Sequence, residues 1–208
     1  MSDRFLVSVK GVLEFEGAYL LRKNERNEWE LLGGKLEKGE RPEQRLVQEF
    51  VEESGIGVEV VRHLEPWLYE IGSRNIIIVP YTCAAVWMPE RLVDEDEGIL
   101  AWHRSEGLAM LRMPEGYLRS IRGEVPCRSY SPVAEQRPPD SGVGYEVHVQ
   151  VEGAGEEVGS RELDWHASPR EVAEGIAREA CVSVAKLSAE PCRLCGDCLT
   201  VVYEVGGG

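Results

Sequence analysis

The stretch Gly34-Lys-Leu-Glu-Lys-Gly-Glu40-Arg-Pro-Glu-Gln-Arg45-Leu-Val-Gln48-Glu49-Phe-Val-Glu52-Glu53-Ser-Gly55-Ile56 decides how this chain is read. Leu46, Val47, Phe50 and Val51 recur at i, i+1, i+4 and i+5, which predicts a helix over 42–54 with one apolar side. Pro42 suits its first turn and Gly55 the position just past its end. At about 100° per residue, Glu49, Glu52 and Glu53 fall together on the side opposite the apolar four. Like charges at this spacing oppose one another by roughly 0.2–0.5 kcal/mol per pair. Solvent or a cation must neutralise the patch, and an oxygen-only carboxylate set suits a hard ion, Mg²⁺ or Mn²⁺. The other reading is a solvated acidic helix face.

Working outward, 5–16 and 18–22 read as strands joined at Glu16-Gly17, and a third apolar piece at 29–32 stops at Gly33-Gly34. After the helix, period-2 alternation returns over 58–64, 66–71 and 75–87. Asp94-Glu95-Asp96-Glu97 is a loop, 102–111 reads as helical, and a short helix follows near 115–122. Strands around one strongly amphipathic helix, with more helix at the end, predict a sheet between helices.

Residues 126–142 hold four prolines and few apolar residues, a linker by composition. Beyond them 145–151 alternates like a strand, Ser168-Pro169 caps a helix to about 180, and 182–187 and 199–205 read as strands flanking a cysteine cluster. The expected organisation is therefore a domain over 1–125, a linker over 126–142 and a small α+β module over 143–208. A module of about 65 residues is marginal without a metal or a docking surface.

The 208 residues carry 37 acidic against 23 basic side chains, a formal charge of −14. The two parts, 1–125 and 126–208, share the deficit evenly at −7 each. So acidic a chain is a poor partner for a nucleic-acid backbone, although a small phosphate ligand can still be held through a bound cation. No apolar run approaches the roughly 20 residues of a membrane span. The start, Met1 to Phe5, lacks a signal-peptide layout, and a cytoplasmic protein is expected.

The quoted stretch resembles the Nudix box, GX5EX7REUXEEXGU with U apolar, the signature of the Nudix hydrolases. Gly34, Glu40, Glu49, Phe50, Glu52, Glu53, Gly55 and Ile56 fill eight of the nine specified positions, and Gln48 stands where the family has Arg. The likeness extends over about 5–122, with Trp29-Glu30-Leu31 leading into the glycine pair and Leu100-Ala101-Trp102-His103 into the following helix. It implies an α/β/α sandwich with a mixed sheet. The activity it implies is hydrolysis of a nucleoside diphosphate linked to another group, such as a nucleoside triphosphate or a nucleotide sugar. It further implies Glu49, Glu52 and Glu53 as metal ligands, Gly34 as a backbone ligand and Glu40 as a supporting carboxylate. The base that takes the proton from water is, in the family, a box glutamate or an acid on a later loop. Here that means Glu49 or Glu53 or, in the loop, Asp96 first and Glu97 second. The family's Arg orients the first box glutamate. Gln48 brings no charge to that role, and Arg45, at i−4 from Glu49, is expected to substitute in part. Loss of activity, leaving a nucleotide-binding sensor with a partner-binding C-terminal part, is the alternative that Gln48 raises.

Arg22, Lys23 and Arg26 are candidates for substrate phosphates or a solvated strand end. Trp67 and Tyr69 are either core or base-stacking residues. The four histidines share no ligand spacing. Cys192, Cys195 and Cys198 fit a tetrahedral zinc at a hairpin tip, its fourth ligand coming from Cys181, His166, His148 or a partner chain. An iron–sulfur or redox role, or plain reduced cysteines, fit the same spacing. A homodimer is left open.

Overall fold

In β1 (Leu6–Phe15) and β2 (Ala18–Lys23) neighbouring apolar residues part company, and this defines the layers. Val7, Val9, Leu13 and Leu20 enter one core, while Val12 and Leu21 enter another. The same parity separates Leu68 from Trp67 and Tyr69 in β5 (Trp67–Ile71), and Ile77 and Val79 from Ile78 in β6 (Arg74–Trp87). Side chains alternating across a strand give a sheet two apolar faces, each needing a cover. The helix α1 (Pro42–Ser54) covers one through Leu46 and Phe50. A 3-10 turn at Ser105–Met110 and the helix α2 (Glu115–Arg122) cover the other through Leu108, Tyr117 and Ile121. The architecture is α/β with a mixed sheet. This computed structural model describes residues 4–72, 74–92, 99–126, 128–131 and 144–206.

The first sheet has eight strands, ordered β3-β2-β1-β6-β5-β8, where β3 is Trp29–Leu31 and β8 is Ser129–Tyr130. β4 (Gly57–His63) joins it on β6, and β7 (Ile99–Arg104) on β2. β1 and β6 run parallel, as do β5 and β8. β5 pairs with β6 up to Ile78 and β4 takes over from Tyr81, so the partner changes around Pro80, which has no N–H to give to either. The Pro80 carbonyl accepts from the Leu64 N–H at 2.8 Å.

A second sheet is ordered β10-β9-β12-β11, comprising β9 (Glu146–Gly153), β10 (Glu156–Glu162), β11 (Leu187–Cys195) and β12 (Cys198–Val205). α3 (Pro169–Glu179) packs on β9 and β10; Ser168 and Glu171 form a capping box at its start. The two sheets share one apolar cluster, running from Phe5 and Val7 to Tyr145, Val149 and Val201. Phe5 and Tyr145 exchange backbone hydrogen bonds at 2.9 and 2.8 Å, and both are fully buried. Among the described helices none is long and apolar enough to cross a membrane.

Three expected elements change and one strand was not anticipated. The region from Trp102 is not helical at first: Leu20 and Trp102 are partners across β2 and β7, and only the 3-10 turn at Ser105 turns the chain. β10 lacks an apolar alternation because its residues are mostly exposed, and it forms by pairing with β9. The expected strand over 182–187 is largely a 3-10 turn at Val184–Lys186, with the strand beginning at Leu187. Part of the expected linker, Ser129–Tyr130, adds to the sheet beside β5; 132–142 lies outside the described residues.

Candidate active site

α1 begins at Pro42 behind Arg41, which makes no side-chain cap, and ends at Gly55 in the left-handed conformation (φ 71°), its N–H donating to the Val51 carbonyl. Its buried residues are Pro42, Leu46, Glu49, Phe50, Glu53 and Ser54. This corrects the helical wheel. Glu49 and Glu53 lie on the packed side, 7% and 8% exposed, whereas the apolar Val51 is 44% exposed. The carboxylates take inward positions because polar partners meet them there.

Glu53 Oε2 accepts from the Gly33 N–H at 2.9 Å, and its Oε1 lies 3.6 Å from Arg22. Glu49 pairs with Arg45 one turn back. Lys10, 6% exposed, donates to the Gly33 carbonyl at 2.6 Å and stands 3.8 Å from Glu30. Burial pushes the Glu53 carboxyl up to about 7, against the pull of Lys10, the Gly33 N–H and Arg22. Glu49 is raised for the same reason, opposed by Arg45 and Lys10. Loss of water around these carboxyls favours their neutral, protonated form more than the nearby cations favour the charged one.

The glycine pair shapes the approach. A β-carbon on Gly34 would lie 1.8 Å from Glu49 Oε1, and one on Gly33 (φ +126°) would lie 2.2 Å from the Val9 carbonyl oxygen. The Gly34 carbonyl already accepts from the Val9 N–H at 2.9 Å and from Ser8 Oγ at 3.1 Å, which uses both its lone pairs. Gly34, expected as the backbone ligand, thus has its carbonyl engaged by two protein donors. The neighbouring Gly33 carbonyl accepts from the Lys10 ammonium at 2.6 Å, beside the carboxylates.

Glu52 stands apart: it is exposed, with Oε1 accepting from Gln48 Nε2 at 2.7 Å and Oε2 3.5 Å from Arg45. Among the described residues no three His, Cys, Asp or Glu side chains gather as an ion-holding group. The expected convergence of Glu49, Glu52 and Glu53 is therefore replaced by two buried carboxylates and one outward, each with basic or amide partners. Glu40 accepts from the Glu37 N–H at 2.8 Å and lies 3.8 Å from Arg45, so Arg45 stands among Glu40, Glu49 and Glu52. The donor set on the buried side, two carboxylates and one carbonyl crowded onto a glycine, fits a hard divalent cation.

Arg26 is not directed to solvent. Its Nε lies 3.1 Å from the buried Glu28, and a second nitrogen 3.9 Å from Glu30. Arg22 likewise faces Glu53, so neither arginine is presented as a free phosphate contact. Trp67 and Tyr69 are core, 1% and 2% exposed. Asp96 and Glu97 lie outside the described residues. A separate cleft of about 560 Å³ opens between β4, α2 and β11, lined by His63, Glu65 and Glu190 among others; no box glutamate borders it.

Strand parity gives the zinc expectation no support. Cys192 is partly buried, with its Sγ 3.5 Å from His63 Nε2, while Arg193 and Cys195 on the other parity are exposed. The three sulfurs therefore do not share a face.

Sequence comparisons carry the identification. A family model for the NUDIX domain matches residues 6–119, more than half of the chain. The chain belongs to the Nudix hydrolase family. A MutT-like protein of Streptomyces ambofaciens is 34% identical to this Nudix protein over 113 residues, 53% of this chain and 71% of that one. Among solved structures, the E. coli ORF135 protein is similar at 22% identity and a TM-score of 0.49, over 58% of this chain and 88% of that chain. The MutT protein from Methanosarcina mazei Go1 is similar at 22% identity and a TM-score of 0.49, covering 58% and 92%. The family match ends ahead of the second sheet.

Lys10 and Gly33 are the site residues that sequence reasoning missed. The signal was present: a lysine at the centre of Val7-Ser-Val-Lys-Gly-Val12 has no place in a buried strand without a partner.

Proposed function

We propose that this Nudix protein is a divalent-cation-dependent pyrophosphohydrolase that splits a phosphoanhydride bond of a nucleoside diphosphate derivative, a nucleoside triphosphate or a nucleotide sugar. The observation that carries this reading is the packing of Glu49 and Glu53 against the Gly33-Gly34 pair, with carboxylates where a helix would ordinarily bury apolar side chains.

Glu49, Glu53 and the Gly33 carbonyl would hold Mg²⁺ or Mn²⁺, with Glu52 joining from the outer face. The ion would lower the pKa of water from 15.7 towards about 7 and offset charge gathering on the phosphoryl oxygens. The chain's own residues then orient and deprotonate. Arg45 fixes Glu49, and the Gly33 N–H and Arg22 fix Glu53. The water proton passes to a box carboxylate, Glu49 or Glu53, or to Asp96. The water oxygen bonds to phosphorus as the bridging oxygen leaves with the other phosphate.

The test is a hydrolysis panel of nucleoside triphosphates and nucleotide sugars with Mg²⁺ and Mn²⁺. Wild type should release phosphate or pyrophosphate from a triphosphate, or a nucleoside monophosphate and a sugar phosphate from a nucleotide sugar, and Glu53→Gln should lose at least about a hundredfold in rate. A second reading, a non-catalytic nucleotide-binding module, is favoured by Gln48 and by the arginine and lysine partners of the carboxylates. It gains the case if wild type cleaves nothing yet is thermally stabilised by a nucleotide.

A further inference from the structure

We propose that Cys195 and Cys198 form a reversible dithiol–disulfide site at the tip of the last hairpin, oxidised by small-molecule disulfides such as oxidised glutathione. β11 and β12 are joined by the two-residue turn of Gly196 and Asp197, and Cys195 and Cys198 stand directly opposite each other in the ladder. Gly196 supplies the positive φ (62°) that such a turn requires at its first position. Directly opposite residues of an antiparallel pair have Cα atoms about 4.5–5.5 Å apart. A disulfide accepts roughly 4.4–6.8 Å between Cα atoms, with β-carbons near 3.8 Å. The two side chains therefore leave the same face of a turn that needs roughly 1–2 Å of closure to join them.

Pairing and access set these two apart from Cys83 and Cys192, while Cys181 is exposed but has no cysteine opposite it in a ladder. Both sulfurs of the pair are free; Cys195 is exposed and Cys198 partly so. Burial pushes the Cys83 and Cys192 thiols up to about 12 and also raises that of Cys198. Cys192, the cysteine nearest in sequence, faces His63 rather than the pair. In the exchange the Cys195 thiolate attacks one sulfur of the small disulfide, forming a mixed disulfide and expelling one thiolate. Cys198, losing its proton to solvent, attacks the Cys195 sulfur and expels the second. One external disulfide is reduced to two thiols as the protein dithiol is oxidised, and an excess of external thiol reverses the sequence.

The site also has an address in the fold. Asp197, between the two cysteines, lies 2.7 Å from Lys38 and 4.0 Å from Arg4, and its carbonyl accepts from the Glu146 N–H at 2.9 Å. Lys38 belongs to the loop joining Gly34 to Glu40, so the turn that carries the dithiol touches the approach to the glutamate helix. The inference stands on the hairpin alone and does not depend on hydrolysis.

The full chain would be exposed to oxidised glutathione, quenched in acid and denatured for thiol counting and intact mass. The expected result is a fall from six thiols to four, a loss of two hydrogens with no glutathione retained, and a link mapped between Cys195 and Cys198. Dithiothreitol should restore all six, and Cys198→Ser should trap glutathione on Cys195. Cys181→Ser and Cys127→Ser should keep the link. Six thiols persisting, glutathione remaining on wild-type Cys195, or one equivalent of zinc lost in Cys195→Ser would each overturn the proposal.

Discussion

The carboxylate of Glu49 rests against the α-carbon of Gly34, across a loop and a helix, so that a β-carbon at position 34 would fall 1.8 Å from its Oε1. The contact makes residue 34 a steric gauge of where Glu49 can be. Gly34→Ala should lower kcat/KM at least about tenfold by moving that carboxylate, a cost of about 1.4 kcal/mol in transition-state stabilisation. Gly39→Ala is the control: its φ is +85° with nothing within 4 Å of an added carbon. It should cost about 1 kcal/mol of stability and leave the rate alone. Denaturation and steady-state kinetics on both variants check the pair.

Lys10 is the buried cation of the site. Lys10→Met removes it from Glu53, Glu49 and Glu30, and unpaired buried charge of this kind costs about 3–5 kcal/mol. The variant should unfold at lower urea, and Mg²⁺ should raise its Tm by more than it raises that of wild type. An equal Mg²⁺ shift in both would show that the ion and the ammonium answer different charges.

Glu53 sets a pH dependence in metal-free protein. Its folded pKa is about 7 against an ordinary value of 4.5, so the folded state holds the extra proton between those values. Its contribution to stability therefore falls as pH rises from about 4.5 to about 7. Glu53→Gln should abolish that portion of the slope in urea titrations without metal.

His63 sets the opposite slope. Burial lowers its imidazole from 6.5 to about 4, so the unfolded chain takes up the proton first. Stability from this group is whole above about 6.5 and is lost as pH falls towards 4. His63→Phe should narrow the difference in Tm between pH 7.5 and 4.5. The two slopes oppose each other over much of the same range, so the variants, rather than the wild-type curve, reveal each.

Arg45 already stands between Glu40 and Glu49, whereas Gln48 turns outward to Glu52. Gln48→Arg should consequently raise the hydrolysis rate by less than about threefold, and Arg45→Met should lower it at least about tenfold. A tenfold rise in the first variant would show that Arg45 does not compensate.

The helix 42–54, its proline start and its glycine stop were legible because they are local signals, each confined to a few neighbouring residues. The strands of the first sheet were legible where alternation was strong. The inward face of α1 was not, because Val51 is apolar yet exposed and Glu49 and Glu53 are charged yet buried. Their placement is decided by Gly33, Arg22 and Lys10, contacts made over 20 or more positions of chain. Hydrophobic periodicity cannot see a partner of that kind. β7 and β10 were missed for the same reason, since pairing with β2 and β9 rather than an internal pattern makes them strands. Cys192 looked like part of a cluster until the strand turned it towards His63.

The mutual backbone exchange of Phe5 and Tyr145 sews the first strand of one sheet to the entrance of the other. A shared interior of this sort leaves no natural seam for partial melting, so calorimetry should register one cooperative endotherm rather than two. Shortening the chain after the family match would strip the cover from Phe5 and Val7, leaving an oily face prone to self-association. The acidic second sheet is, on this view, scaffolding that the hydrolase portion has come to require.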